Sequence, residues 1–191
     1  MSIARVMLIG LRAGGKSTVA GLLATRLRAT MIDLDDRTAA KLGSRAAGDA
    51  IKRYGLAAFR RAELAALDDV LCGNGPTVLA LGGGTPTAPG ADVVIRAAKG
   101  QGWRVVYLHA DVQALQDRLS RTDLSSRPPL LAPGTPPSPA QSVIDEVGTV
   151  YLQRDGLYRA LADVIVETGL LEPEAITAHI AAWLKPAESQ A

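Results

Sequence analysis

Cysteine, aromatic residues and surplus charge are all scarce in this chain. A single cysteine, Cys72, among 191 residues excludes an internal disulfide framework and a CxxC metal knuckle. Aromatic residues make up 4%, too few for a stacking surface on single-stranded nucleic acid. With 21 basic residues against 19 acidic ones, the net charge of +2 leaves no broad cationic face for a nucleic-acid backbone. No run approaches the roughly 18 to 20 continuous apolar residues of a membrane span. Met1 to Arg5 lead into a strand-like segment without a cationic leader or a cleavage site, so secretion is not expected. What is present, 48% apolar residues, fits a core. The expectation is a single domain over 1–191, cytoplasmic and monomeric, with neither nucleic acid nor membrane as partner. The basic residues divide into 16 Arg and 5 Lys, a bias toward the side chain best suited to bidentate capture of carboxylate or phosphate.

Short apolar runs at Val6–Ile9, Met31–Leu34, Val78–Leu81, Val105–Leu108 and Val164–Val166 are apolar on both faces and predict buried parallel strands. Between them, Val19, Leu22, Leu23 and Leu27, and then Phe59, Leu64, Leu67 and Leu71, recur at helical spacing. Asp111 is placed to cap a helix to about Ser120, Ala140–Ala162 predicts a longer helix, and Glu172–Leu184 a last one. Alternation of strand and helix predicts a doubly wound α/β sheet. Thr122–Pro139 holds six prolines and predicts a loop or lid, and 186–191 a frayed tail.

Gly10–Thr18 fits GxxxxGK[ST] between the first strand and the first helix, the context in which such a loop cradles phosphates. Backbone amides of Ala13, Gly14, Gly15 and the helix start at Lys16, Ser17 and Thr18 would point at phosphate oxygens. Lys16 would reach the β and γ phosphates, and the Ser17 hydroxyl would ligate Mg²⁺. The cradle alone does not separate kinase, GTPase and ATPase. No NKxD-like segment reads guanine, and the third strand ends in Gly82-Gly83-Gly84 rather than in an acidic residue. The second strand instead ends in Asp33-Leu34-Asp35. Period 2 would put the two carboxylates on one face, one toward Mg²⁺ and the other toward an acceptor hydroxyl, with Asp36 capping the next helix. Arg60 and Glu63 are i,i+3 neighbours for which a solvated ion pair is the simplest reading.

The ordered set of GxxxxGKST at 10–18, DxD at 33–35, FRxxE at 59–63, GGG at 82–84, RP followed by LL at 127–131 and RxxLY at 154–158 resembles shikimate kinase. The resemblance spans residues 5 to about 167. It implies a P-loop kinase three-layer α/β fold, with a five-stranded parallel sheet flanked by helices and a mobile lid over about 121–139. It also implies transfer of the ATP γ-phosphoryl group to the 3-hydroxyl of shikimate, with Mg²⁺, in chorismate and aromatic amino acid biosynthesis. On the matching positions, Asp35 would bind shikimate and act as base, and Asp33 would touch the Mg²⁺ shell through water. Arg60 and Arg154 would clamp the carboxylate, and Gly82, Gly83 and Gly84 would approach the ring hydroxyls. A substrate-binding segment would run over about 36–63. Lys16 and the lid residue Arg127 would neutralise the transferring phosphoryl group, and Arg121 would lie near adenine. A gluconate or nucleoside monophosphate kinase and a catalytically weakened nucleotide-binding module are the alternatives.

Ala13 stands where the family has glycine, so positive φ is not expected there. Thr38-Ala39 replace Ile-Glu, Leu56 replaces Glu, and Pro129 is an addition. His109, His179 and Cys72 are read as structural, Trp103 and Trp183 as cover at the core margin, and Asp68-Asp69 as a solvated helix face.

Overall fold

The computed structural model describes residues 4–121 and 139–185, with side chains from 144 onward in the second stretch. Strands β1 (Arg5–Ile9), β2 (Thr30–Asp33), β3 (Thr77–Ala80), β4 (Arg104–His109) and β5 (Val164–Glu167) form a parallel sheet in the order β2-β3-β1-β4-β5. Helices α1 (Lys16–Leu27), α2 (Leu34–Lys41), α3 (Ala47–Tyr54), α4 (Leu56–Leu71), α5 (Ala91–Gly100), α6 (Val112–Ser120), α7 (Pro139–Leu161) and α8 (Pro173–Trp183) connect and follow them.

The period of the strands divides the core in two. Val6, Leu8, Val78, Val106 and Leu108 meet Val19 and Leu23 of α1 and Ile176 and Ile180 of α8 on one face. Met7, Ile9, Leu79, Val105 and Tyr107 meet Leu67, Ile95, Leu115 and Leu161 from α4 to α7 on the other. These strand residues are almost fully buried, as a parallel sheet covered on both faces requires. Each large aliphatic chain among them contributes about 1.5–3 kcal/mol by burial.

Three expectations are corrected, and one helix was not foreseen. Strand β2 is not apolar on both faces: it is the sheet edge, Met31 is 36% exposed, and Leu34 already opens α2. Helix α5, for which the sequence reading names no element, buries Ala91, Ile95 and Ala98. Trp103 lies in the core rather than at its margin, and Cys72 is an exposed C-cap of α4 rather than a packing residue. Asp111 caps α6 as expected, its carboxylate accepting from the Ala114 N–H at 2.7 Å. Residues 122–138, most of the expected lid and Arg127 with it, and the tail at 186–191 lie outside the described residues; Pro139 opens α7. Among the described residues no helix is long and apolar enough to cross a membrane.

Ala13 has φ 63° despite its Cβ, against the expectation of negative φ. A left-handed alanine costs roughly 1–2 kcal/mol, and the loop holds it there between Gly10 and the N-cap Gly15, itself at φ 85°. Ala13→Gly is therefore expected to raise unfolding stability by about 0.5–1 kcal/mol in urea titrations, the relief of strain being partly offset by the freer unfolded chain.

Candidate active site

The C-terminal ends of β1, β2 and β3 open into a cleft of about 590 Å³, where ligands of open α/β sheets bind. The cradle forms its floor. A Cβ at Gly10 would stand 2.7 Å from the Leu108 carbonyl oxygen, so glycine is required for the loop to leave β1 against β4. Gly15 caps α1 without a side chain, leaving the first-turn amides of the helix for an anion. Lys16 and Ser17 line the cleft, and Lys16 Nζ donates to the carbonyls of Gly10 and Leu11, each at 2.9 Å.

Asp33 and Asp35 both line this cleft, but period 2 does not bring them together. The strand stops at Asp33, which becomes the N-cap of α2: its Oδ1 accepts from the Asp35 N–H at 3.0 Å. Capping thus falls to Asp33 rather than to Asp36, which lies in the first helical turn. Oδ2 of Asp33 accepts from the Ser17 hydroxyl at 2.6 Å. One carboxylate therefore joins the cradle to the helix that carries Asp35.

The solvated ion pair read for Arg60 and Glu63 is overturned, because Glu63 is 1% exposed. Its Oε2 accepts from Arg60 Nη1 at 2.6 Å and its Oε1 from the Thr85 hydroxyl at 2.6 Å. From α7, Arg154 Nη1 and the Tyr158 hydroxyl both donate to the Gly83 carbonyl, at 2.8 and 2.6 Å. A Cβ at Gly84 would overlap the Arg60 guanidinium and lie 3.4 Å from Arg154 Nη1, so the two arginines converge on one glycine from two helices. A Cβ at Gly82 would collide with Asp35 and stand 2.7 Å from Glu63 Oε1. The triple glycine is thus the space into which two carboxylates and two guanidinium groups crowd.

Burial, with the charges of Glu63 and Asp33 beside it, pushes the Asp35 carboxyl up to about 6 against the opposing pull of Lys16 and Arg60. Burial also pushes the Tyr158 phenol up to about 12, which keeps it a donor to Gly83.

Three residues were not anticipated. Glu63 was legible only as part of an ion pair. Arg118 of α6 lines the cleft, whereas the expected Arg121 lies exposed at the end of the same helix and is not among the lining residues described. Arg118 donates to the carbonyls of Thr168 and, at 3.4 Å, of Ala13, fastening the turn after β5 to the cradle. Arg12, also lining the cleft, faces the buried Glu146 of α7 at 3.6 Å. The residues after β5 sit beside the cradle through Arg118, a link that no sequence spacing reveals.

No cluster of three metal-ligating side chains occurs among the described residues. A hydroxyl and a carboxylate, Ser17 and Asp33, meet at the foot of the cradle. That donor set suits Mg²⁺, which takes one or two protein oxygens and completes its shell with phosphates and water.

A P-loop at the centre of a parallel sheet, with a raised carboxyl facing it across a cationic cleft, defines a nucleotide-dependent phosphotransferase. The model of a family described as shikimate kinase matches residues 12–185. A shikimate kinase of Pseudomonas paraeruginosa is 35% identical over 175 residues, 92% of each chain, and one of Halorhodospira halophila is 37% identical over 164 residues, 86% of this chain and 84% of that one. A solved shikimate kinase of Acinetobacter baumannii, in complex with shikimate, superposes with a TM-score of 0.79 at 25% identity, covering 96% of this chain and 93% of that one. A gluconokinase of Sinorhizobium meliloti, at a TM-score of 0.55 and 16% identity over 95% of each chain, shares the fold alone. The chain belongs to the shikimate kinase family and is an ATP-dependent kinase.

The position of Asp35 carries a stability consequence. With the carboxyl at about 6 in the folded protein and 3.8 as its ordinary value, the native state binds more protons than the unfolded chain between these values, so stability falls as pH rises through that window. Asp35→Asn is expected to be more stable than the parent by about 1–3 kcal/mol at pH 8, with the difference closing near pH 4 in thermal melts. Gly82→Ala is expected to lose more than about 2 kcal/mol, because the new methyl group must displace a buried carboxylate.

Proposed function

We propose that this cleft transfers the γ-phosphoryl group of ATP to the 3-hydroxyl of shikimate, yielding shikimate 3-phosphate and ADP for chorismate and aromatic amino acid biosynthesis. The convergence of Arg60 and Arg154 on Gly84, beside Asp35, carries the reading. Two guanidinium groups from separate helices suit the single carboxylate of shikimate, and the carboxylate of Asp35 then faces the ring hydroxyls.

Asp35 orients the 3-hydroxyl and accepts its proton as the oxygen attacks the γ-phosphorus. Cleavage of the bond to the β-phosphate oxygen leaves ADP. Phosphoryl transfer asks mainly for alignment and charge neutralisation. Lys16 and the amides at the start of α1 supply both on the phosphate side, and Arg127 would add a further positive charge there. Mg²⁺, held by Ser17 and through water by Asp33, would add positive charge to the β and γ phosphates. Arg118 is a better candidate than Arg121 for the base side of the nucleotide, since it lines the cleft. A lid over about 121–139 would exclude water as a competing acceptor, and the segment over about 36–63 would receive shikimate. A cytoplasmic monomer is part of the same proposal, one exposed thiol suiting a reducing compartment.

ADP release with Mg-ATP tests the reaction: turnover is expected with shikimate and not with gluconate or AMP, and folded protein without shikimate-dependent turnover would overturn it. Two further outcomes are expected. Arg154→Ala should raise the shikimate KM at least tenfold while changing the ATP KM less than about threefold. The kcat/KM for shikimate should fall tenfold per pH unit below about pH 6, where Asp35 becomes protonated and can no longer accept a proton.

A further inference from the structure

His109, the last residue of β4, is 8% exposed and does not line the cleft among the described residues. Its imidazole lies between two elements. Nδ1 faces the Glu167 carboxylate of β5, while Nε2 stands 2.9 Å from the Tyr151 hydroxyl and 3.7 Å from Asp155 Oδ1, both on α7. A carboxylate offers only acceptors, so Nδ1 carries a proton toward Glu167, and Nε2 is the ring nitrogen hydrogen-bonded to the Tyr151 hydroxyl. Two residues earlier on the same face of β4, the Tyr107 hydroxyl donates to Asp155 Oδ1 at 2.9 Å. Arg159 Nε holds the other Asp155 oxygen at 2.7 Å.

These contacts fall on Tyr151 and Asp155, one turn apart on α7. The same helix turns Arg154 and Tyr158 toward the Gly83 carbonyl. A helix moves as a rod, so the docking of Tyr151 and Asp155 on β4 sets the rotation at which Arg154 meets the triple glycine. The backbone of His109 ties in the other side of the site: its carbonyl accepts from the N–H and the hydroxyl of Thr168, at 2.7 and 2.9 Å, and Thr168 is fastened by Arg118 to the cradle.

We propose that His109 is a positioning residue for the acceptor clamp: through Nε2 and Tyr151 it fixes the rotation of α7 and thereby the placement of Arg154 against the substrate carboxylate. The proposal rests on the reading of Arg154 as part of that clamp.

The two imidazole nitrogens can be separated by substitution. The amide of Gln reaches about as far as Nε2 and can keep the bond to Tyr151, whereas that of Asn reaches only as far as Nδ1 and can keep only the bond toward Glu167. His109→Gln is expected to hold the shikimate KM within about twofold of the parent, and His109→Asn to raise it about three- to tenfold, the ATP KM remaining within about twofold in both. In an Arg154→Ala background His109→Asn should add nothing to the shikimate KM, because the residue it acts through is gone. Melting temperatures of the same preparations establish that both variants are folded, and the two lose the same ring. Equal shikimate KM values for the Gln and Asn variants overturn the proposal, as does an Asn effect that multiplies with that of Arg154→Ala. An Arg154→Ala variant with an unchanged shikimate KM is a different failure, that of the clamp itself.

Discussion

A carboxylate buried as completely as that of Glu63 must be neutralised where it sits, and most of the acceptor side of the cleft follows from how this is done. Arg60 and the Thr85 hydroxyl satisfy its two oxygens, each at 2.6 Å. Binding Arg60 in this way fixes the guanidinium at the mouth of the triple glycine with its remaining N–H groups free to face an anion. The same negative charge adds to burial in holding the Asp35 carboxyl up at about 6. Remove Glu63 and the Arg60 guanidinium loses its anchor while the Asp35 carboxyl loses part of its upward push. The glycine at 82 belongs to the same arrangement, since any side chain there would enter the space these oxygens occupy.

The phosphate side depends on Asp33 in a comparable way. A strand that ends by capping the next helix places its own carboxylate next to the Ser17 hydroxyl, so one side chain both meets a backbone requirement at the start of α2 and is hydrogen-bonded to the cradle. Cradle and acceptor subsite are then two ends of one hydrogen-bonded path from Ser17 through Asp33 to Asp35. Since phosphoryl transfer is sensitive to the line between donor and acceptor oxygens, a short and rigid path of this kind has direct kinetic value.

The sequence made legible those features whose residues are contiguous or whose period is undisturbed. Gly10 to Thr18 carry their strand–loop–helix context with them, and the five apolar runs lie within a residue or two of the five strands. Asp33 and Asp35 were read as a pair for the wrong reason, because an edge strand of four residues gives no hint of where capping takes over. The burial of Glu63 was illegible, since an i,i+3 Arg–Glu pair looks the same on a solvated face as over a core. Arg118 sits on a helix like any solvated arginine, and its value comes from Thr168, which the chain reaches only after another helix and strand. Ala13 kept the backbone of a glycine because its neighbours dictate the turn, a tertiary constraint that overrides the local preference of one residue.

The strand order has a bearing on how the enzyme comes into being. Strand β1, which leads into the cradle, takes as neighbours β3 and β4 rather than β2. The loop that follows β1 is therefore synthesised well before it can be held in place: its own strand stays unpaired until residue 77 has emerged, and its second edge stays open until residue 104. Through that interval an apolar strand with two bare edges must be kept from other chains. Early termination or proteolysis within that span leaves an adhesive fragment, and ligand affinity appears only when nearly the whole sheet has closed.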